Sequence, residues 1–305
     1  MNLTGLPGGM PPASRDLTGH GPNPPDPCWP GGARLALSFV VNVEEGAELS
    51  LLSGDERNEA IPEAAQRTEA TPDPCMESHF GYGARVGLWR VLDAFDQHGL
   101  KATFSACGRA VAATPVLAAA PHARGHEVSA HGWRWEPHAG MAEETERAVI
   151  AATVAAIRDA CGERPVGWHT KSAPSVNTRR LVVEEGGFLY DSDGYDDEVP
   201  RTLEVGGRPH LLLPYAFDTN DMRFAPGGGF VQAEDFSRYC IGAIDWLLAQ
   251  PGPGRMLSIG LHLRLIARPA RMPGLDAVLA HAARTPGLWV ARRRDIAAHW
   301  RSLGR

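Results

Sequence analysis

No stretch of the 305 residues approaches the roughly 18 uninterrupted apolar residues that a membrane span requires. The first residues, MNLTGLPGGMPPASRD, have neither the basic start nor the apolar run of a secretory signal. Cysteine is scarce: Cys28, Cys75, Cys107, Cys161 and Cys240 are odd in number, widely spaced and never in a CxxC pair. That pattern speaks against a disulfide framework and a zinc knuckle and fits a reducing compartment, so the expected location is cytoplasmic. A strong charge of one sign is also lacking. The formal net charge of −6 gives no reason to expect nucleic acid or a membrane surface as partner, which leaves a small molecule. The chain has no Walker motif, no GxGxxG between a strand and a helix, and no GxSxG elbow, which removes the common phosphate-cradling and serine-hydrolase designs.

What is present begins with an arm, residues 1–33, too rich in Pro and Gly for regular structure. From residue 34 to 305, short apolar runs alternate with helical periodicity, the pattern of repeated β-α units in a single α/β domain. RLALSFVVNVE, KATFSACG, HEVSAHG, PVGWHT, FLYDSD, HLLLPYAFDTND, RMLSIGLHLR and LWVARRRD read as strands. ARVGLWRVLDAFDQHG reads as a helix with Val86, Trp89, Leu92 and Phe95 apolar, after an acidic loop over residues 45–78. AEETERAVIAATVAAIRDACG is a helix with acidic residues in its first turn and Gly162 beyond its end, as dipole and C-cap chemistry favour.

Chemically capable residues stand where the strands end: Asn42, Glu44, His131, His169, Lys171, Asp191, Asp193, Asp218 to Asp221, His262 and Arg264. In a parallel barrel these ends converge on one mouth, where catalytic residues collect. His131 is followed at alternate positions by Trp133 and Trp135, flat surfaces for a planar ring or, equally, for core packing. His262 interrupts a strongly apolar strand and is a candidate acid or base, with burial beside a backbone acceptor as the competing account. Of the adjacent Glu44 and Glu45 only one faces inward, and Glu45 reads as a solvated loop carboxylate. In FDTNDMRF, Asn220 and Asp221 suit either a pocket or a turn. Arg268 and Arg271 could bind a carbonyl, and Glu77 and Arg85 could reach the mouth or pair on the surface.

LALSFVVNVEEG, GHEVSAHGWRW, PSVNTRRLVVEEGGFLYDSD, PYAFDTNDMRF and LSIGLHLRLIARPAR together resemble the polysaccharide deacetylase superfamily, the NodB-like carbohydrate esterase family four. Within it they look most like the branch of the bacterial metal-independent allantoinase and cyclic imide hydrolases. The resemblance implies a distorted (β/α) barrel of about seven strands and a homo-oligomer such as a tetramer. It matches His131 to the surviving histidine of the second motif and His262 to the late-strand general acid. The family's deacetylases carry two aspartates at the end of the first strand and two histidines four apart. Here Val40, Val41 and Asn42 stand near the aspartate positions, and Trp135 stands at the second histidine.

The expectation is therefore a hydrolase opening the C–N bond of a small cyclic amide, imide or ureide, with Glu44 as base, His262 as acid and His131 positioning or stabilising the oxyanion. Glu77, Arg85, Trp133, Trp135, Lys171, Asn220, Asp221 and Arg268 are expected to shape the pocket. No cofactor or metal is expected, with a rebuilt divalent site as the alternative. The rival functions are a metal-dependent sugar N-deacetylase and a non-catalytic binding barrel.

Overall fold

A computed structural model describes residues 16–61, 68 and 70–304, so the first fifteen residues of the arm and part of the acidic loop lie outside it. In chain order the elements are β1 Leu35–Val43, α1 Pro74–Tyr82, α2 Leu88–Gln97, β2 Thr103–Ala106, α3 Gly108–Ala113, α4 Val116–Ala123, β3 Glu127–Ala130, α5 Glu143–Cys161, β4 Gly167–Trp168, α6 Thr178–Glu185, β5 Tyr190–Asp191, β6 Arg201–Val205, β7 Arg208–Leu212, α7 Ala233–Ala249, β8 Arg255–His262, α8 Leu263–Ile266, α9 Met272–Arg284, β9 Leu288–Val290 and α10 Arg293–Ser302. The strands β7-β5-β4-β3-β2-β1-β8 run parallel in that order, with β6 antiparallel on β7 and β9 beside the first residues of β1. This is the expected distorted barrel. Among the described residues, no helix is long and apolar enough to cross a membrane.

β1 is buried on both faces, as a central parallel strand must be. Its odd positions, Leu37, Phe39, Val41 and Val43, pack with Val91, Leu92 and Phe95 of α2 in the main core. Its even positions face the barrel interior. There Ala36 joins Tyr190, Leu211, Met256 and Ile296 in a second cluster that closes the N-terminal end, with Trp29 of the arm and Trp300 of α10 beneath it. Continuing the alternation, Asn42 and then Glu44 point inward, and the pairing of Asn42 with His262 sets β8 in register with them.

The barrel has no β7–β8 ladder. Loops take up the free edge of β8 instead: Met256 N–H donates to Glu198 O at 2.7 Å and Gly260 N–H to Thr219 O at 2.9 Å. Arg293 spans the gap, its guanidinium donating to Ser258 Oγ at 2.6 Å, Leu213 O at 2.6 Å and Pro214 O at 2.9 Å. An exposed strand edge is thereby covered and its buried polar groups satisfied.

Two elements differ from their sequence reading. The helix expected from Ala84 begins ten residues earlier, capped by Asp73, and runs through a π turn, Gly83–Gly87, into α2. That turn shifts the phase, so Leu88, Val91, Leu92 and Phe95 form the buried stripe while Val86 and Trp89 are exposed. The segment from His210 is strand only to Leu212 and belongs to a β6–β7 hairpin turned by Gly206 and Gly207, at φ of 58° and 75°. Two consecutive positive φ values are what a tight hairpin turn demands.

Candidate active site

Glu44, one residue past β1, lies between two imidazoles. Its Oε1 is 3.5 Å from His131 Nε2 and 3.4 Å from His262 Nε2, while its Oε2 accepts from Arg264 Nη1 at 2.5 Å. All four side chains are buried. His131 sits one residue past β3 and its Nδ1 is 2.7 Å from the His169 carbonyl. A carbonyl only accepts, so Nδ1 carries the proton and Nε2 faces Glu44.

His262 ends β8. The Asp221 carboxylate holds it twice, 2.6 Å from Nδ1 and 2.7 Å from the backbone N–H. Asp221 is itself fixed by the short 3₁₀ turn it opens, where Asn220 Oδ1 caps Met222 N–H at 2.8 Å. Asn220 Nδ2 is consequently turned toward Tyr215 Oη, at 3.3 Å.

The electrostatics follow from this packing. Burial alone would lower the His262 imidazole, but Glu44 and Asp221 outweigh it and push its pKa up to about 9. Burial alone would raise the Glu44 carboxyl, but Arg264, then His262 and His131, hold it well below the usual carboxylate range. Two groups held cationic, Arg264 and His262, thus flank the Glu44 carboxylate. His169, its ring 5.0 Å from that of His131, is driven well below the usual histidine range by burial, then by the charges of His131 and Arg293.

Glu45 corrects its sequence reading. It is 3% exposed rather than solvated, and burial pushes its carboxyl up to about 7. Its Oε2 accepts from Glu44 N–H at 3.0 Å, and its other oxygen rests on Gly83, where a Cβ would lie 2.1 Å away. Only glycine permits that approach.

Trp135, at the position of the missing histidine, serves two cations. Lys171 Nζ lies 3.4 Å from its ring centroid and donates to its carbonyl at 3.2 Å, and the Arg264 guanidinium sits 4.9 Å from the same ring and 4.4 Å from that of Phe80. Trp133 turns the other way, against Gly108 at the start of α3, where a Cβ would meet its ring at 2.8 Å. Glu77 accepts from Ser50 Oγ, Arg85 is exposed on the π turn, and Arg268 stacks 3.7 Å over Tyr82 with Nη2 3.1 Å from His79 Nδ1. These three belong to the surroundings of α1 rather than to the cluster. Asp191 faces the helices, held by Arg179 at 2.8 Å and His210 at 3.0 Å. Arg264 is the residue whose weight the sequence understated. It stands two positions after His262, and only the helical turn of α8 brings it back over Glu44.

A divalent metal does not fit this donor set. Arg264 occupies one oxygen of Glu44, Asp221 occupies Nδ1 of His262, and the two carboxylates beside His262 favour its protonated form, which a metal would have to displace. Among the described residues no group of three or more His, Cys, Asp or Glu has metal-holding geometry.

The loop carrying Trp135 is fastened from behind. Glu146, fully buried on α5, faces His138 Nδ1 at 2.9 Å and accepts from Ser175 Oγ at 2.6 Å and from Thr178 Oγ1. Glu146→Ala is expected to cost about 3 kcal/mol, because it strands a buried hydrogen-bonded group, and urea titration measures it.

A polysaccharide deacetylase family signature matches residues 68–187. A Schizosaccharomyces pombe protein assigned to the polysaccharide deacetylases is 38% identical over 94% of this chain and 97% of its own length. A Pseudomonas aeruginosa PAO1 structure with the same assignment superposes with a TM-score of 0.90 at 45% identity, over 95% of this chain and 98% of the other. The structure of Puue allantoinase superposes equally well, with a TM-score of 0.90 at 44% identity, over 95% and 97% of the two chains. With near full-length identity above the range of fold likeness alone, this chain belongs to the polysaccharide deacetylase family.

Proposed function

We propose that the protein is an allantoinase-like hydrolase that opens a small cyclic imide, amide or ureide at a C–N bond without a required metal. The observation that carries the reading is the Glu44 carboxylate set between His131 and His262, with Arg264 lying against it as the resident cation. The likeness to Puue allantoinase supports the reaction class.

In this reading water is held between Glu44 Oε1 and His131 Nε2, and it attacks the ring carbonyl as Glu44 takes its proton. The new C–O bond leaves a tetrahedral oxyanion facing the positive side of the cluster, Arg264 and His262. Collapse breaks the C–N bond, and His262 Nε2 gives its proton to the leaving nitrogen. The proton taken by Glu44 then restores His262, which the raised pKa makes the stable resting place. Overall, OH adds to the carbonyl and H to the nitrogen.

Lys171 carries the substrate preference. Its ammonium, fixed over Trp135 and 3.8 Å from Glu59, offers one compact charge and not the planar fork that pairs two ureido oxygens. Simple cyclic imides are therefore expected to be opened more efficiently than allantoin. Measuring kcat/KM for succinimide and allantoin on one preparation, beside acetate release from an N-acetylated glucosamine polymer, tests this. Higher efficiency with allantoin refutes the preference, and acetate release without ring opening refutes the reaction.

A further inference from the structure

We infer that the small apolar cavity beside Arg264 is a subsite for a short saturated substituent on the substrate ring, so that alkyl-substituted cyclic imides are the preferred substrates. This rests on the ring-opening reading above. The cavity has a volume of about 60 Å³ and is walled by Ile61, Phe80, Trp135, Met222, Ala225 and Leu265, with Arg264 as the one charged residue of its lining among the described residues.

Its position connects it to the chemistry. Arg264 belongs to both sites: one edge of the guanidinium binds Glu44, and its plane lies against Phe80 and Trp135, which form the cavity wall. The lining comes from the segment before α1, from α1, from the loop after β3, from the turn that Asp221 opens and from α8, all at the barrel mouth. A ring whose carbonyl meets Glu44 and His262 would thus direct a neighbouring substituent into this space.

Its size and surface set the chemistry of that substituent. A water in the liquid occupies about 30 Å³, so the cavity takes a group of roughly two carbons. The walls are hydrocarbon and aromatic, and the Arg264 donor nearest Glu44 is already used. A ureido or carboxylate arm placed here would lose its hydration with only the Arg264 guanidinium, already paired with Glu44, as a polar neighbour, whereas a methyl or ethyl group gives up no hydrogen bonds.

The test compares kcat/KM for succinimide and for its methyl, ethyl and butyl derivatives. A methyl group that fills a hydrophobic pocket is expected to raise the wild-type value roughly 10-fold, ethyl to keep the gain and butyl to lose it. Ala225→Leu, at a lining position where a longer side chain fills the space, should bring the methyl-to-unsubstituted ratio close to one. Met222→Ala, which enlarges it, should move the optimum to a longer chain. Thermal-shift titration of wild-type protein with the same rings reports binding separately from turnover. Ring opening with no methyl preference, or with a preference that neither variant alters, overturns the subsite. Tighter binding of the methylated ring with no ring opened supports the subsite and sinks the ring-opening reading. No turnover and no binding preference sinks both.

Discussion

His262→Ala is expected to leave the fold intact and to lower kcat by ~10²- to 10⁴-fold, the usual contribution of a positioned acid-base group. Residual activity near the wild-type value would remove His262 from the mechanism, and the same criterion applies to His131→Ala. The pH profile adds a sharper signature. The acid must be protonated, and Glu44 and Asp221 hold His262 at about 9 against burial, so activity is expected to persist through neutrality and to fall as pH rises through about 9. Asp221→Asn removes one of the two charges that raise His262, so the alkaline limb should move to lower pH as kcat falls. Stability follows the same sign. A histidine raised in the folded state stabilises fully below its ordinary value of 6.5, and that contribution is lost as pH rises through about 9.

The largest effect on stability is expected at Arg264. Arg264→Met leaves the buried Glu44 carboxylate without its nearest counter-charge, and breaking a buried ion pair in this way costs about 3–5 kcal/mol. Adding Glu44→Gln removes the stranded charge, so the double variant should recover a large part of the loss while remaining inactive. Urea titration of both single variants and the double closes the cycle. Equal losses that simply add would show that the two side chains do not depend on one another. Arg264→Lys should not restore the wild type, since an ammonium cannot present a planar face to Phe80 and Trp135 while binding Glu44.

These residues differ in how plainly the sequence displays them. The alternation of β1 places Glu44 on the inner face by counting from Ala36, and His131 and His262 announce themselves as polar residues closing apolar strands. Trp135 in place of a histidine was equally visible, and the structure gives it a physical role as the platform for Lys171 and Arg264. Arg264 itself could not be placed, because its reach to Glu44 depends on a four-residue helical turn that strand alternation does not foresee. The burial of Glu45 escapes the sequence for a related reason. An acidic residue at a loop start is normally solvated, and what buries this one is Gly83, some forty residues later, in a π turn that also shifts the phase of α2. Tyr215 lay in a segment read as strand, and its contacts with Asn42 and Asn220 arise from the open β7–β8 edge, a feature of closure rather than of local pattern.

In the proposed reaction Arg264 and the protonated His262 take the place that a metal would need. The measurement that tests it most directly is the efficiency of cyclic imide opening before and after exhaustive chelation, with the metal content of the same protein determined by elemental analysis. Unchanged kcat/KM and no stoichiometric transition metal are expected. Loss of activity on chelation, with recovery on adding zinc, manganese or cobalt, would contradict this.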